Sequence, residues 1–385
     1  MNRNSFNKKL LTGLTGLAVA AAAAGCGSSG GSANASSADT QACMDKITPV
    51  VDQHKQEVQW KSPGPAFDAS SIKGKTVYWI SGNAEVPFSQ KVFAGFKEAA
   101  DKVGVKYNFF NGDGSAATML RGFQQAIAAH ADVIMIQSIP LETFKTQIAV
   151  ANEAGIPIVE AWNTDAGEAP EPGTQAAVTY DFTRAGQMMA AAAIKISKCN
   201  VKAVTFSPSD DTIAKYEVSG IKGEFEKYCP DTCSTTEQFT RISEWSTRLP
   251  VLARNAVSNP AVNWLMPVYD GQTQFTNPAV MQAGAASRVN VASFNATQGI
   301  IDQLAQSGNP LAVDVGAPLA WSGWAIADQC FRLLAGEKPV VDENIPLRTF
   351  DRDNIDEIDL SKPDATWYGT NTDFQAEYLK LWKVG

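Results

Sequence analysis

The sequence predicts an α/β protein made of two halves of similar size, each with its own parallel sheet. Three observations carry this expectation. Short β-rich apolar runs alternate with amphipathic helical stripes; four such beats fall between residues 75 and 161; and the rhythm restarts near residue 174. Alternation of this kind builds a parallel sheet with right-handed crossovers.

The elements follow in order. Residues 40–58, "TQACMDKITPVVDQHKQEV", read as a short helix that "SPGP" at 62–65 stops. "KTVYWIS" (75–81) is a strand, and "SQKVFAGFKEAADKVG" (89–104) sets Val92, Phe93, Phe96, Ala99, Ala100 and Val103 on one stripe before Gly104. A strand is expected at 105–110, a helix at 116–130, a buried strand at 131–137, a helix at 141–155 closed by Gly155, and a strand at 156–161. The second half reads strand 174–180, helix 183–198, strand 201–207 and helix 213–228. A helix at 247–259 follows despite Pro250, then strands at 261–267, 289–294 and 311–316, with a helix expected at 297–307. A long helix covers 321–336. The tail from 352 is acidic and polar and ends in an amphipathic helix carrying Phe374, Tyr378, Leu381 and Trp382.

The first 39 residues belong to neither half. Arg3, Lys8 and Lys9 precede an almost uncharged stretch, Leu10–Gly25, which is short for a bilayer span of ~20 residues. A basic start, an apolar middle and small residues at the end describe a secretory signal peptide at 1–25. Ala23-Ala24-Gly25-Cys26 resembles the bacterial lipobox, with Ala at position 23 where Leu is commoner. The resemblance implies that Cys26 is acylated and that the chain is cut before it. Lasting attachment takes more than one acyl chain, and a bacterial lipoprotein carries at least two. Residues 26–39 then read as a flexible Gly/Ser/Ala tether, and 40–74 as an N-terminal helical extension.

Composition narrows the function. Apolar residues make up 44% and charged residues 19%, the balance of a globular body. Loss of residues 1–25 removes three basic and no acidic side chains, taking the net charge from −8 to −11. Nucleic acid is therefore not an expected partner, since phosphate binding needs basic surface. With two histidines and no second cysteine pair beside Cys229-x3-Cys233, no metal site is expected. "GKT" at 74–76 is not a phosphate loop, because position 69 is Ala and a strand follows rather than a helix. No nucleophile or zinc-hydrolase motif is present, and no catalytic residue or cofactor is expected; a carboxylate pair of glycosidase type stays open on composition alone.

The order and spacing of "VPFSQKVFAGFKEAADKVG", "ADVIMIQ", "ANEAGIPIVEAWN", "NPAVNWLMPVYD", "VNVASFNAT" and "AWSGWAIADQCFRLLAGEKP" resemble the ribose-binding-like periplasmic sugar-binding proteins of ABC importers, over about residues 75–350. The resemblance implies two Rossmann-like lobes joined by a three-segment hinge, with a ligand cleft between them. The crossings fall near Tyr180-Asp181, Asp314-Val315 and Arg348–Asp351, giving lobe one as 75–180 plus 315–348 and lobe two as 181–314 plus 349–385. Function then reads as capture of a sugar or sugar-like solute and its delivery to an ABC permease. The protein would be a monomer, lipid-anchored on the extracytoplasmic face of the cell membrane. A ligand-sensing component with the same fold and an exported hydrolase are the alternatives.

Ligands of open α/β sheets bind outside the carboxyl ends of the strands. The resemblance therefore places Asn83, Phe88, Trp162 and Asn163 on one side of the cleft and Trp245, Tyr269, Asp270 and Asn295 on the other, with Asp314 at the hinge. Aromatic faces with Asn and Asp between them suit a ring with polar edges. Pentose-binding members carry Asp-Arg after the fourth strand, where this chain has Trp162-Asn163, and a second ligand-binding Arg aligns with Glu217 or a neighbour. These departures favour a bulkier, less polar or cationic solute; sugar alcohol, cyclitol, amino sugar and aromatic compound stay open. Five cysteines besides Cys26 leave one over if disulfides form. With the N-terminal helix leaning on lobe one, Cys43 is expected to pair with Cys330, and Cys199 with Cys229 or Cys233. A bond from Cys43 to a lobe-two cysteine would overturn that assignment.

Overall fold

The computed structural model describes residues 37–369 and 373–384. The signal, Cys26 and most of the tether lie outside the described residues.

After helix α1 (Ser37–His54), strand β1 (Thr76–Ser81), α2 (Pro87–Val103), β2 (Lys106–Asn111), α3 (Ala116–Ala128), β3 (Val133–Gln137), α4 (Lys145–Glu153), β4 (Ile158–Ala161) and β5 (Ala176–Val178) form a first unit of five parallel strands in the order β2-β1-β3-β4-β5. β3 and β4 are buried along their whole length and β1 almost so. That explains why they read as unbroken apolar runs: a parallel sheet is covered on both faces. Pro87 opens α2, and Gly104 closes it in the left-handed conformation, φ 83°.

The second unit comprises α5 (Phe182–Ile196), β6 (Lys202–Pro208), α6 (Ala214–Tyr228), β7 (Ser234–Thr240), α7 (Trp245–Ser258), β8 (Trp264–Pro267), α8 (Asp270–Gln282), β9 (Asn290–Asn295) and β10 (Leu311–Gly316). The chain then returns to the first unit as α9 (Leu319–Ala335), re-enters the second sheet as β11 (Arg348–Asp351), and ends in α10 (Phe374–Leu381). The second sheet runs β11-β10-β9-β8-β6-β7, parallel except for β11 against β10. Two lobes of α/β type result, as the sequence predicts. α9 lies on α2 so closely that a Cβ at Gly323 would stand 2.2 Å from the Val92 carbonyl oxygen.

Four details depart from expectation. β10 continues through Gly316, where it pairs with Arg348, so the second crossing falls after Gly316 rather than at Asp314-Val315. The 297–307 segment forms only a 3-10 turn, Ile301–Ala305, because Gly299 takes φ 90° and breaks the helical run. The tail divides. Trp367 and Tyr368 join the second lobe's core, but α10 packs on α9, with Trp382 stacked on Trp324 at 5.3 Å and Phe374 on Trp321 at 5.1 Å. Finally, α1 packs on α5 of lobe two, not on lobe one.

The last point corrects the disulfides. Cys43 bonds Cys199, just beyond α5, and Cys229 bonds Cys233 across a single turn. Cys330 is a free thiol, fully buried in α9 and pushed far up by that burial. The Cys43–Cys199 bond overturns the placing of the N-terminal helix on lobe one. Lobe one is still met by this extension farther along: the Phe67 and Ala69 N–H groups bond the Leu381 and Trp382 carbonyls, and Trp60 stacks on Trp321. Among the described residues no helix is long and apolar enough to cross a membrane.

Candidate functional site

Of the ten left-handed residues other than glycine among the described residues, five follow or end strands, while His130, Lys198 and Cys199 precede strands and Asn344 and Lys383 lie elsewhere. Left-handed φ values at residues other than glycine are uncommon, and they gather where function demands them. Here Asp113 follows β2 (φ 55°), Ser138 follows β3 (51°), Trp162 follows β4 (61°), and Asn295 and Ala296 end β9 (118° and 49°). All five stand at strand carboxyl ends.

On lobe one, Trp162 is buried between Phe88, 4.8 Å away edge-on, and Tyr180, 5.7 Å away. Its backbone N–H is held by the Val178 carbonyl, while its indole N–H has no partner. Asn163 is buried beside it and turns its amide back toward the Ala161 carbonyl. Asn83 accepts the Glu85 N–H at 2.9 Å, which shapes the loop leading into α2. The loop after Trp162 then reaches the other lobe. Asp165 accepts the Phe182 N–H at 2.7 Å and the Thr183 hydroxyl, and Glu168 accepts the Tyr216 hydroxyl of α6 at 2.6 Å.

On lobe two, Asp270 and Asp314 are wholly buried and flank the Asn295 turn. Asp270 accepts the Thr297 N–H at 2.6 Å and the Ser293 hydroxyl, and Asp314 accepts the Ala296 N–H at 3.1 Å. Burial raises both carboxyls. Asp270 is pushed up to about 6, with the bonds from Ser293 and Thr297 pulling back, and Asp314 goes well above the usual range through burial and then the Asp270 charge. Their visible work is to hold the strained turn that carries Asn295. Trp245 begins α7, and its ring lies against Gly271, where a Cβ would come within 2.8 Å of it. Tyr269, one residue before α8, packs with Ala214, Val218 and Val268 beside Asp211.

The structure thus gathers Phe88 with Trp162 and Asn163 on one side, and Asp270 and Asp314 with Asn295 on the other. Asn83 sits on the loop after β1, Trp245 at the start of α7 against Gly271, and Tyr269 beside Asp211. Sequence reasoning passed over Asp165, Asp211 and Tyr216. A rule taking the first polar residues after every strand would have found Asp211; Asp165 and Tyr216 show only through the long loop that folds across to α6.

Glu160, on β4 just before this edge, offers a pH test. Burial pushes its carboxyl up to about 7, while bonds from the Glu171 N–H (2.6 Å) and Thr174 hold it back. A raised acid stabilises the fold fully below its unfolded pKa, ordinarily ~4.3, and that contribution is lost as pH rises through the folded value. Urea melts should therefore show wild type weakening between roughly pH 4.5 and 7 relative to Glu160→Gln, by about 2–3 kcal/mol at the upper end. A parallel pair of pH profiles would refute it.

A family model described as "periplasmic binding protein domain" matches residues 77–338. Comparison with curated proteins by sequence gives no match. Among solved structures, an ABC transporter solute binding protein from Agrobacterium vitis with bound allitol shares 16% identity and a TM-score of 0.66, covering 74% of this chain and 98% of that one. One from Bacillus halodurans with bound myo-inositol shares 16% and 0.66, covering 74% and 97%. A 5-methylthioribose transporter solute binding protein from Thermotoga lettingae, in complex with 5-methylthioribose, shares 17% and 0.68, covering 82% and 98%. At such identities the likeness is one of fold.

Proposed function

Since the chain belongs to the periplasmic binding protein domain family by its match over residues 77–338, we propose that it is an extracytoplasmic receptor that captures one sugar or sugar-like solute between its lobes and delivers it to an ABC permease. The observation that carries this reading is the pair of strained, aromatic and polar edges, Trp162-Asn163 and Asn295-Ala296, at the carboxyl ends of two sheets that one chain links by three passages. Asn83, Phe88, Trp245 and Tyr269 complete the two rims, and Asp270 and Asp314 hold the Asn295 turn. A solute touching both rims favours the closed arrangement by its differential affinity, which is all that hinge closure requires. No covalent step enters.

A thermal-shift screen of sugars, polyols and cyclitols tests the reading, followed by recovery of each hit after incubation. A raised melting temperature with the solute returned unchanged supports it. Turnover of the hit, or no stabilisation across the screen, contradicts it.

Anchoring rests on Cys26 and the tether behind it. Cys26→Ser is expected to stall processing or to release the protein from the membrane fraction, read by fractionation and immunoblot. Normal maturation with full membrane retention would overturn the lipid anchor.

A further inference from the structure

Glu217 lies inside lobe two with nothing to neutralise it. Its side chain is 0% exposed, and neither carboxylate oxygen has a hydrogen-bond partner. An ionised carboxylate left in this state is costly, so buried ones are normally paired. The helix cannot back away to relieve it. A Cβ at Gly186 of α5 would stand 2.0 Å from the Glu217 carbonyl oxygen, and one at Gly220 would stand 2.0 Å from that of Thr183. α5 and α6 are locked together on either side of the residue.

The groups around Glu217 are acidic. Asp211, after β6, and Asp165, on the crossing loop from lobe one, are the charges that act on it, and both push its carboxyl further up after burial. Tyr269 adds a hydroxyl beside Asp211. Asp165 is satisfied by Phe182 and Thr183, and Asp211 accepts the Ile213 N–H at 2.7 Å, so Glu217 is the member of the set whose oxygens are free. Two of these groups come from strand-end loops of opposite lobes, which places the cluster at the cleft edges described above. Among the described residues no three His, Cys, Asp or Glu side chains are arranged to hold a metal ion. A cationic group on a solute would supply the donors that Glu217 lacks.

We propose that Glu217 is the recognition point for a protonated amine on the solute, with Asp211 and the Tyr269 hydroxyl receiving the other N–H groups. An ammonium has three donors and no acceptor, and this cluster offers carboxylate acceptors whose one neighbouring donor, the Tyr269 hydroxyl, makes no hydrogen bond to Glu217. Asp165, already held against α5 through Phe182 and Thr183, adds a charge from lobe one that attracts the same cation. The solute class is thereby an amino sugar or aminocyclitol rather than a neutral sugar. This rests on the solute-binding reading above and deepens it.

Calorimetric titration of matched pairs tests it: D-glucosamine against D-glucose, D-mannosamine against D-mannose, and scyllo-inosamine against scyllo-inositol. At least one amine should bind one per chain and about tenfold or more tighter than its neutral partner, and Glu217→Gln should weaken that amine by about 10- to 100-fold, as for loss of a charge-assisted bond. The same variant should not lower the melting temperature, since a neutral amide is cheaper to bury than a charge. A neutral member binding as tightly as its amine, unchanged amine affinity in Glu217→Gln, or no amine binding at millimolar concentration overturns the proposal. Neutral-sugar binding that survives Glu217→Gln would remove the amine alone and leave the solute receptor standing.

Discussion

Trp162→Ala should weaken solute binding by at least about 10- to 100-fold, the range expected when a buried polar partner is lost. The ring is buried against Phe88 and Tyr180, and its backbone is held at φ 61°, so its position is imposed rather than chosen. Its unpartnered indole N–H is a donor only, which suits a solute hydroxyl. Truncation also removes a large buried side chain, so the melting temperature should fall as well; such changes cost ~3–5 kcal/mol. Trp162→Phe separates the two effects. It keeps most of the packing and loses the donor, so it should retain the melting temperature more nearly while losing about tenfold in affinity. Asn295→Ala should match it from the other lobe. Full affinity in folded Trp162→Phe, Trp162→Ala and Asn295→Ala, measured by calorimetry with a solute from the screen, would show that these residues only pack.

Removing the Cys43–Cys199 bond is the second large effect. It closes a loop with a sequence separation of 156, whereas Cys229–Cys233 closes one of 4. Cross-link stabilisation in the chain-entropy view grows with loop length, to about 5 kcal/mol for the long loop and about 2 for the short one. Cys43→Ser with Cys199→Ser should therefore lower the denaturant midpoint far more than Cys229→Ser with Cys233→Ser. The loss has a specific site: α1 would be free to leave α5, which also carries the Lys195–Asp52 ion pair at 2.6 Å. Equal losses for the two double variants would contradict this. Non-reducing peptide mapping that joins Cys330 to either partner would contradict the pairing itself.

The reasons some parts of this architecture are legible in the sequence and others are not are physical. β1, β3 and β4 are buried on both faces and announce themselves as apolar runs, and α2 carries its stripe against α9. β7 is an edge strand, "STTEQFT", largely exposed, with no apolar alternation to mark it. α8 inverts the usual pattern: it buries Asp270, Gln272, Thr273, Thr276 and Asn277, so its inner face reads as polar loop. That inversion also hides half of the candidate site, because Asp270 owes its burial to Ser293 and Thr297, which lie on or just beyond β9. Cysteine positions say nothing of which lobe α1 leans on, so the Cys43–Cys199 pairing is not legible in the sequence. Strand-end positions suggest Trp162 and Asn295 as candidates, but the isolation of Glu217 depends on how α5 and α6 pack around it, which only the fold displays.

The most direct test is a crystal structure of the protein with a solute that the thermal-shift screen identifies. The account predicts one molecule between the two strand-end edges, touching Trp162 from lobe one and Asn295 from lobe two, with its cationic group, if it carries one, at Glu217. A solute bound at the opposite edge of lobe one, in the cavity lined by Lys75, His130 and Asp132, or bound to one lobe alone, would contradict it.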